Sequence, residues 1–229
     1  MSQPDFTHQH PAFIAYPAQA AFGRALPKSK VYAHSSANTR LKDLFVQQVE
    51  QIVWAFKLAP ETIHLPARPG VPEIQVFTLQ LKTPELHRDV LRCIDEAIPF
   101  PIVFELVFEG RTQVIAAYKR LNESDASRWV ISDYFATDWM PACSQRTPMP
   151  VALNLGGLYE QLLHRLIPLS VRPQETLTEL MARMAQVQAK QREMDKTAAR
   201  LRKEKQFNRK VEINTQLRQL KNDYETLTR

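Results

Sequence analysis

Two sets of residues in this 229-residue chain have types and spacing that could do chemistry. The first is a run of cations near the C-terminus. Between Lys190 and Lys210 stand nine basic residues and only three acids, Glu193, Asp195 and Glu204, so the window carries a net charge of +6. The rest of the chain balances at 21 basic and 21 acidic residues. A local excess of this kind can neutralise phosphates without reading bases. Lys196, Arg200, Arg202, Lys203, Lys205, Arg209 and Lys210 are therefore the candidate contacts for DNA or for an acidic protein partner, with Gln206 and Asn208 as further polar groups. The plainer alternative is a solvated helix face laced by pairs such as Glu193–Lys196 and Glu204–Lys205.

The second set is three carboxylates, Glu73, Asp95 and Glu105, with Lys82 or Lys119. Carboxylates at the ends of neighbouring strands can hold Mg²⁺, and a lysine can stand near the attacking water, as in metal-dependent nucleases. Against this, no acid–x–lysine pair falls in a strand. Glu105, between Phe104 and Leu106, is read as the polar side of a strand, paired with Lys119 across a hairpin. No catalytic residue is assigned. Walker-type glycine loops, Gly-x-Ser-x-Gly and His-Glu-x-x-His are all missing. His8 and His10 lack a third ligand and are read as solvent-exposed, and no cofactor or metal is implied.

These residues need elements to position them. Glu73–Lys82 has β-branched and aromatic residues on both faces and reads as a covered strand. Thr83-Pro84-Glu85 carries helix-start signals, and Leu86, Val90, Cys93, Ile94 and Ala97 make one apolar face. Ile102–Phe108 is the most strand-like run, and Glu109–Thr112 turns it into the strand Gln113–Leu121. Arg128–Phe135 adds another strand, and Leu153–Leu166 a helix. Upstream, a short helix is expected around Pro17–Gly23 and an extended piece at Lys30–His34. A helix capped by Asn38 or Thr39 runs from Arg40 to Leu58, and an edge strand lies at Thr62–Leu65. The whole is α+β, a small mixed or antiparallel sheet with flanking helices, over residues 1–172.

Residues 173–229 form a separate basic coiled-coil segment. From Gln174 onward there is neither glycine nor proline. Leu177, Leu180, Met184, Val187, Met194 and Leu201 follow three- and four-residue steps, and Ile213, Leu217, Leu220, Tyr224 and Leu227 resume them one residue out of phase. The phase break is either a skip within one rod or a bend between two helices. The rod is favoured, because no helix breaker stands there. It would span about 84 Å and need a partner, hence a homo-oligomer or hetero-complex through this segment.

The chain has 44% hydrophobic residues and two cysteines without metal spacing. Cys93, on an apolar helix face, reads as a reduced buried thiol. No apolar run is long enough to span a membrane and no leader is evident, so a cytoplasmic location is expected.

Five stretches, Trp54–Pro66, Glu73–Phe77, Ile94–Phe104, Ala116–Arg120 and Gln206–Asn214, resemble an uncharacterised bacterial family classed only as a domain of unknown function. Members are typically encoded beside helicase and DNA-methyltransferase genes in defence islands. The resemblance implies a non-catalytic accessory subunit of a restriction-like or antiphage DNA system, docking on a helicase or modification enzyme. It supplies no catalytic residues. A metal-dependent nuclease and a coiled-coil scaffold without nucleic-acid contact are the competing expectations.

Overall fold

A computed structural model describes residues 11–122, 124–125 and 128–229. The chain divides into two compact units, the first ending at Ile167 and the second running from Pro168 to Arg229. His8 and His10 lie outside the described residues.

In the first unit the elements are β1 (Ile14–Ala15), β2 (Ala21–Ala25), α1 (Lys28–Ala33), α2 (Thr39–Gln48), β3 (Val49–Leu58), α3 (Pro60–Ile63), β4 (Ile74–Leu81) and α4 (Arg88–Ala97). They continue with β5 (Ile102–Phe108), β6 (Arg111–Leu121), β7 (Trp129–Ala136), β8 (Met140–Pro141), β9 (Thr147–Pro148) and α5 (Leu155–His164). A seven-stranded sheet has the order β2-β3-β4-β5-β6-β7, with β8 also paired to β6. Its neighbours are antiparallel except β4 and β5, which are parallel and joined through α4. That exception is physical, since a parallel pair needs a crossover. β1 pairs with β9 in a separate two-stranded parallel ladder.

The fold is α+β with a mixed, mostly antiparallel sheet, as the sequence predicts. Phe77, Leu79, Phe104, Leu106 and Ile115 meet Val31, Phe45, Val90, Leu91 and Ile94 in one buried cluster on the face covered by α1, α2 and α4. On the opposite face, α5 packs on β6. There the buried Tyr159 hydroxyl donates to Ala117 O at 2.8 Å and accepts from Lys119 N at 2.9 Å. The β5–β6 turn places Glu109 and Gly110 at φ 45° and 72°, the left-handed pair a tight two-residue hairpin requires.

Several elements differ from expectation. The long helix to Leu58 stops at Gln48, and Val49–Leu58 is a strand between β2 and β4. Its residues, Ile52-Val53-Trp54-Ala55-Phe56, favour extended backbone, and pairing on both sides outweighs the helical spacing. Lys30–His34, expected to be extended, lies largely in α1 instead, with Val31 buried. The strand expected at Thr62–Leu65 is the turn α3, begun by Pro60 and held by the Ala59 N–H donating to Thr62 Oγ1 at 2.9 Å. Helix α4 starts at Arg88, after Gln48 Oε1 accepts the His87 N–H at 2.8 Å. The expected helix near Pro17 is one 3-10 turn, Ala18–Ala20.

In the second unit, α6 (Leu177–Lys203) and α7 (Phe207–Thr228) pack together as an antiparallel hairpin. This corrects the single rod. Arg183 Nη1 donates to Leu227 O at 2.8 Å, and Lys190 Nζ lies 3.1 Å from Asp223 Oδ2, so the chain doubles back. The phase break is the bend itself. Glu204 leaves the helical region at ψ 137°, and its Oε1 accepts the N–H groups of Lys205 and Gln206 at 2.8 and 2.9 Å. An aspartate or glutamate can turn a chain by binding the next backbone donors, so neither glycine nor proline is needed. Leu180, Met184 and Val187 of α6 and Ile213 and Leu220 of α7 are buried. The expectation of assembly through this segment rested on a lone helix, and each helix here has an intramolecular partner.

Candidate nucleic-acid interface

The bend gathers the cations. Arg200, Arg202 and Lys203 occupy the last turn of α6, Lys205 the connection, and Arg209 and Lys210 the first turn of α7. What the sequence lays out as a stripe becomes the tip of a hairpin. All six side chains, and Lys196 one turn further back, are exposed. Among the described residues, none of the seven forms a salt bridge, whereas Lys190, further down the hairpin, meets both Asp223 and Glu193. The pairs that would make the run a self-neutralised face do not form. Glu193 approaches Lys190, not Lys196, and Glu204 accepts from backbone. Those backbone donors, Gln206 first and Lys205 next, hold the Glu204 carboxyl below the usual carboxylate range.

A depression of about 360 Å³ lies between the helices, lined by Arg200, Lys203, Glu204, Arg209, Glu212 and Ile213. Gln206 caps α7 without a side-chain hydrogen bond, and no acid stands in its first turn. Within its first turn no acid offsets the positive end of the α7 dipole, although Glu204 and Glu212 stand close by in the depression. Phe207 is 78% exposed and Val211 51% exposed on the same helix. The arrangement can neutralise closely spaced negative charges and present an aromatic ring beside them.

The structure separates the second set of sequence candidates. Glu105 alternates with Phe104 and Leu106, so it faces away from α4. Its carboxylate is held bidentately by Arg146, at 2.7 and 2.8 Å, and not by Lys119 as expected. Arg146 also donates to Ile14 O at 2.7 Å and stacks 3.9 Å from the Phe13 ring centroid. Asp95 is on the α4 face, where Tyr134 Oη donates to Oδ2 at 2.5 Å and Lys119 Nζ lies 3.7 Å from Oδ1. Burial pushes the Asp95 carboxyl up to about 6 and the Lys119 ammonium down to about 8. Glu73 accepts from Gln75 and sits 3.6 Å from Lys57. Lys82 donates to Val46 O at 2.8 Å. Each candidate is tied to its own neighbours, and the carboxylates do not converge. Among the described residues, no three His, Cys, Asp or Glu side chains are grouped to hold a metal ion.

Sequence reasoning missed Arg146 as the partner of Glu105. A cation in an irregular, proline-rich stretch carries no periodic signal. Phe207 reads from the sequence as an exposed aromatic at the phase break of a rod, a docking point or a coil contact. It is exposed, but at the start of α7 beside the bend.

A family described as "Domain of unknown function (DUF4391)" matches residues 14–223. No curated protein and no solved structure matches the chain. Among the described residues, no helix is long and apolar enough to cross a membrane.

Proposed function

We propose, for a chain that belongs to the DUF4391 family, that it is a non-catalytic accessory subunit which engages nucleic-acid phosphates through the tip of its C-terminal hairpin. The carrying observation is the cluster of six exposed cations at one bend, none of them in a salt bridge with a described residue. Unpaired surface cations displace the counterions of a polyanion, and that release drives sequence-independent binding. In a DNA-directed defence assembly the first unit docks on a helicase or a DNA-methyltransferase type enzyme, and the tip holds the strand near it.

The test replaces Arg200, Arg202, Lys203, Lys205, Arg209 and Lys210 by glutamine in the full chain. Glutamine is a good helix former, so circular dichroism is unchanged. Duplex DNA affinity falls, and the slope of log affinity against log salt shrinks by about 0.9 for each lost phosphate contact. Sequence preference hardly moves. Negligible DNA binding before and after substitution, with loss of partner capture, would instead assign the tip to an acidic protein.

A further inference from the structure

We infer that Phe207 is a base-stacking side chain and that the hairpin tip selects unpaired nucleotides over duplex. This deepens the phosphate-binding reading and rests on it. The observations are the exposure of Phe207, its place in the chain and the charge around it.

Phe207 is the first residue of α7 and is 78% exposed. The buried residues of α7, Ile213 and Leu220, lie further along the helix, so Phe207 contributes little to the packing that holds the hairpin together. Its ring is free on a surface whose neighbours in sequence are Lys205, Gln206, Asn208, Arg209 and Lys210, all exposed. An aromatic ring amid cations is the composition of a single-strand binding surface. The cations track the backbone, and the flat ring stacks on a base, whatever its identity. Gln206 and Asn208 flank it with amides that can meet base edges. In a duplex the base faces are already stacked on one another and closed to a side chain, so the ring adds affinity only for unpaired strands.

A lipid surface is the other polyanion an exposed phenylalanine could enter. Interfacial helices carry a long apolar face opposite their cations. Here the exposed apolar residues of α7 are Phe207 and Val211, one turn apart, and the cations stand beside them. Charge complementarity with a short aromatic patch favours a nucleic-acid strand.

The experiment measures anisotropy of the full chain with a labelled thymidine 20-mer and with a duplex of equal length, at one salt concentration. The expected result is tighter binding of the 20-mer. Phe207→Ala and Phe207→Leu each weaken the 20-mer by about five- to a hundredfold, the range for losing one stacked base, and leave the duplex unchanged. Phe207→Trp restores it. If Leu binds as well as Phe, or if both ligands weaken equally, stacking is overturned. If both ligands bind, respond to loss of the six cations and ignore position 207, the stacking inference falls alone and phosphate binding stands. If neither ligand binds, both fall. Co-sedimentation with phosphatidylserine vesicles that is lost in Phe207→Ala, with oligonucleotide binding unaffected, would assign the ring to lipid.

Discussion

Lys119 and Asp95 meet twice. The ammonium donates to the backbone carbonyl of Asp95 and lies 3.7 Å from its carboxylate, and both side chains are almost wholly buried. A second carbonyl, that of Ile98, takes another of its protons. Lysine thus ends helix α4 in the place of a left-handed glycine, and its charge suits the negative end of the helix dipole. The device recurs. Lys28 donates to Phe45 O and Val49 O where α2 passes into β3, with Lys82 on Val46 O beside it. Arg172 and Arg183 meet the last carbonyls of α7. A chain with only five glycines closes these helices with cations.

Lys119→Met is therefore expected to destabilise the fold by about 3–5 kcal/mol, because it strands a buried carboxylate and frees two carbonyls. Asp95→Asn should cost less, since the lysine keeps its carbonyl partners. The double variant should recover part of the Lys119→Met loss. Urea denaturation of the three variants measures this. A Lys119→Met loss under 1 kcal/mol would contradict the cap.

Arg146 has the same role for Glu105 on the other face of the sheet. Glu105 is 4% exposed but the Arg146 side chain is 36% exposed, so solvent screens the pair and Arg146→Ala should cost less, about 1–3 kcal/mol. Arg146→Lys keeps the charge but loses the two-pronged contact and should fall between. Equal stability of the lysine and alanine variants would show that charge alone does not hold Glu105.

What was legible in the sequence follows from what is local. The strands Ile74–Leu81 and Ile102–Phe108 and the hairpin to Leu121 declare themselves, because alternation, β-branching and an Glu-Gly turn act over a few residues. The stretch Val49–Leu58 does not. Its apolar residues fit a helix and a strand equally well, and the decision comes from β2 and β4, which are far away in sequence. The cations of the tip were legible as a list but not as a place. The bend depends on Glu204 folding back on two backbone donors, which no propensity scale records. The pairing of Glu105 was misread for the same reason, since its partner is 41 residues away in an irregular loop.

The hairpin and the rod differ in one distance. Spin labels at Gln186 and Thr226, both exposed, stand about 60 Å apart if residues 186–226 form one straight helix. In the hairpin their helices are neighbours about 8–10 Å apart, and even with the label arms the separation stays below half the rod value. Cys143 is exposed and must first become serine, while Cys93 is buried. A dominant distance near the longer value would remove the tip as a structural entity.

Acid should loosen the base of that hairpin through Glu175. Its carboxylate takes two hydrogen bonds from the Arg183 guanidinium, at 2.6 and 2.7 Å, and the Arg172 N–H at 3.0 Å. These contacts, the Arg183 bonds foremost, hold its pKa down to about 2, from an ordinary value of 4.5. A folded-state pKa below the unfolded one means that protons bind the unfolded chain more readily in that window. The contribution is thus complete above about pH 4.5 and drains away as the pH falls towards 2. Other carboxylates also titrate there, so total stability is the wrong readout. The difference between the parent chain and Glu175→Gln isolates the group. That difference, from urea melts followed by helical ellipticity, should be constant from pH 7 to 5 and shrink steadily below 4.5. Arg183→Met should remove most but not all of its pH dependence, since the carboxylate then keeps only the Arg172 N–H and charge to favour its ionised form. A difference that is flat down to pH 2, or that grows with acid, would mean that Glu175 does not hold in solution the Arg183 guanidinium that reaches Leu227 O of α7.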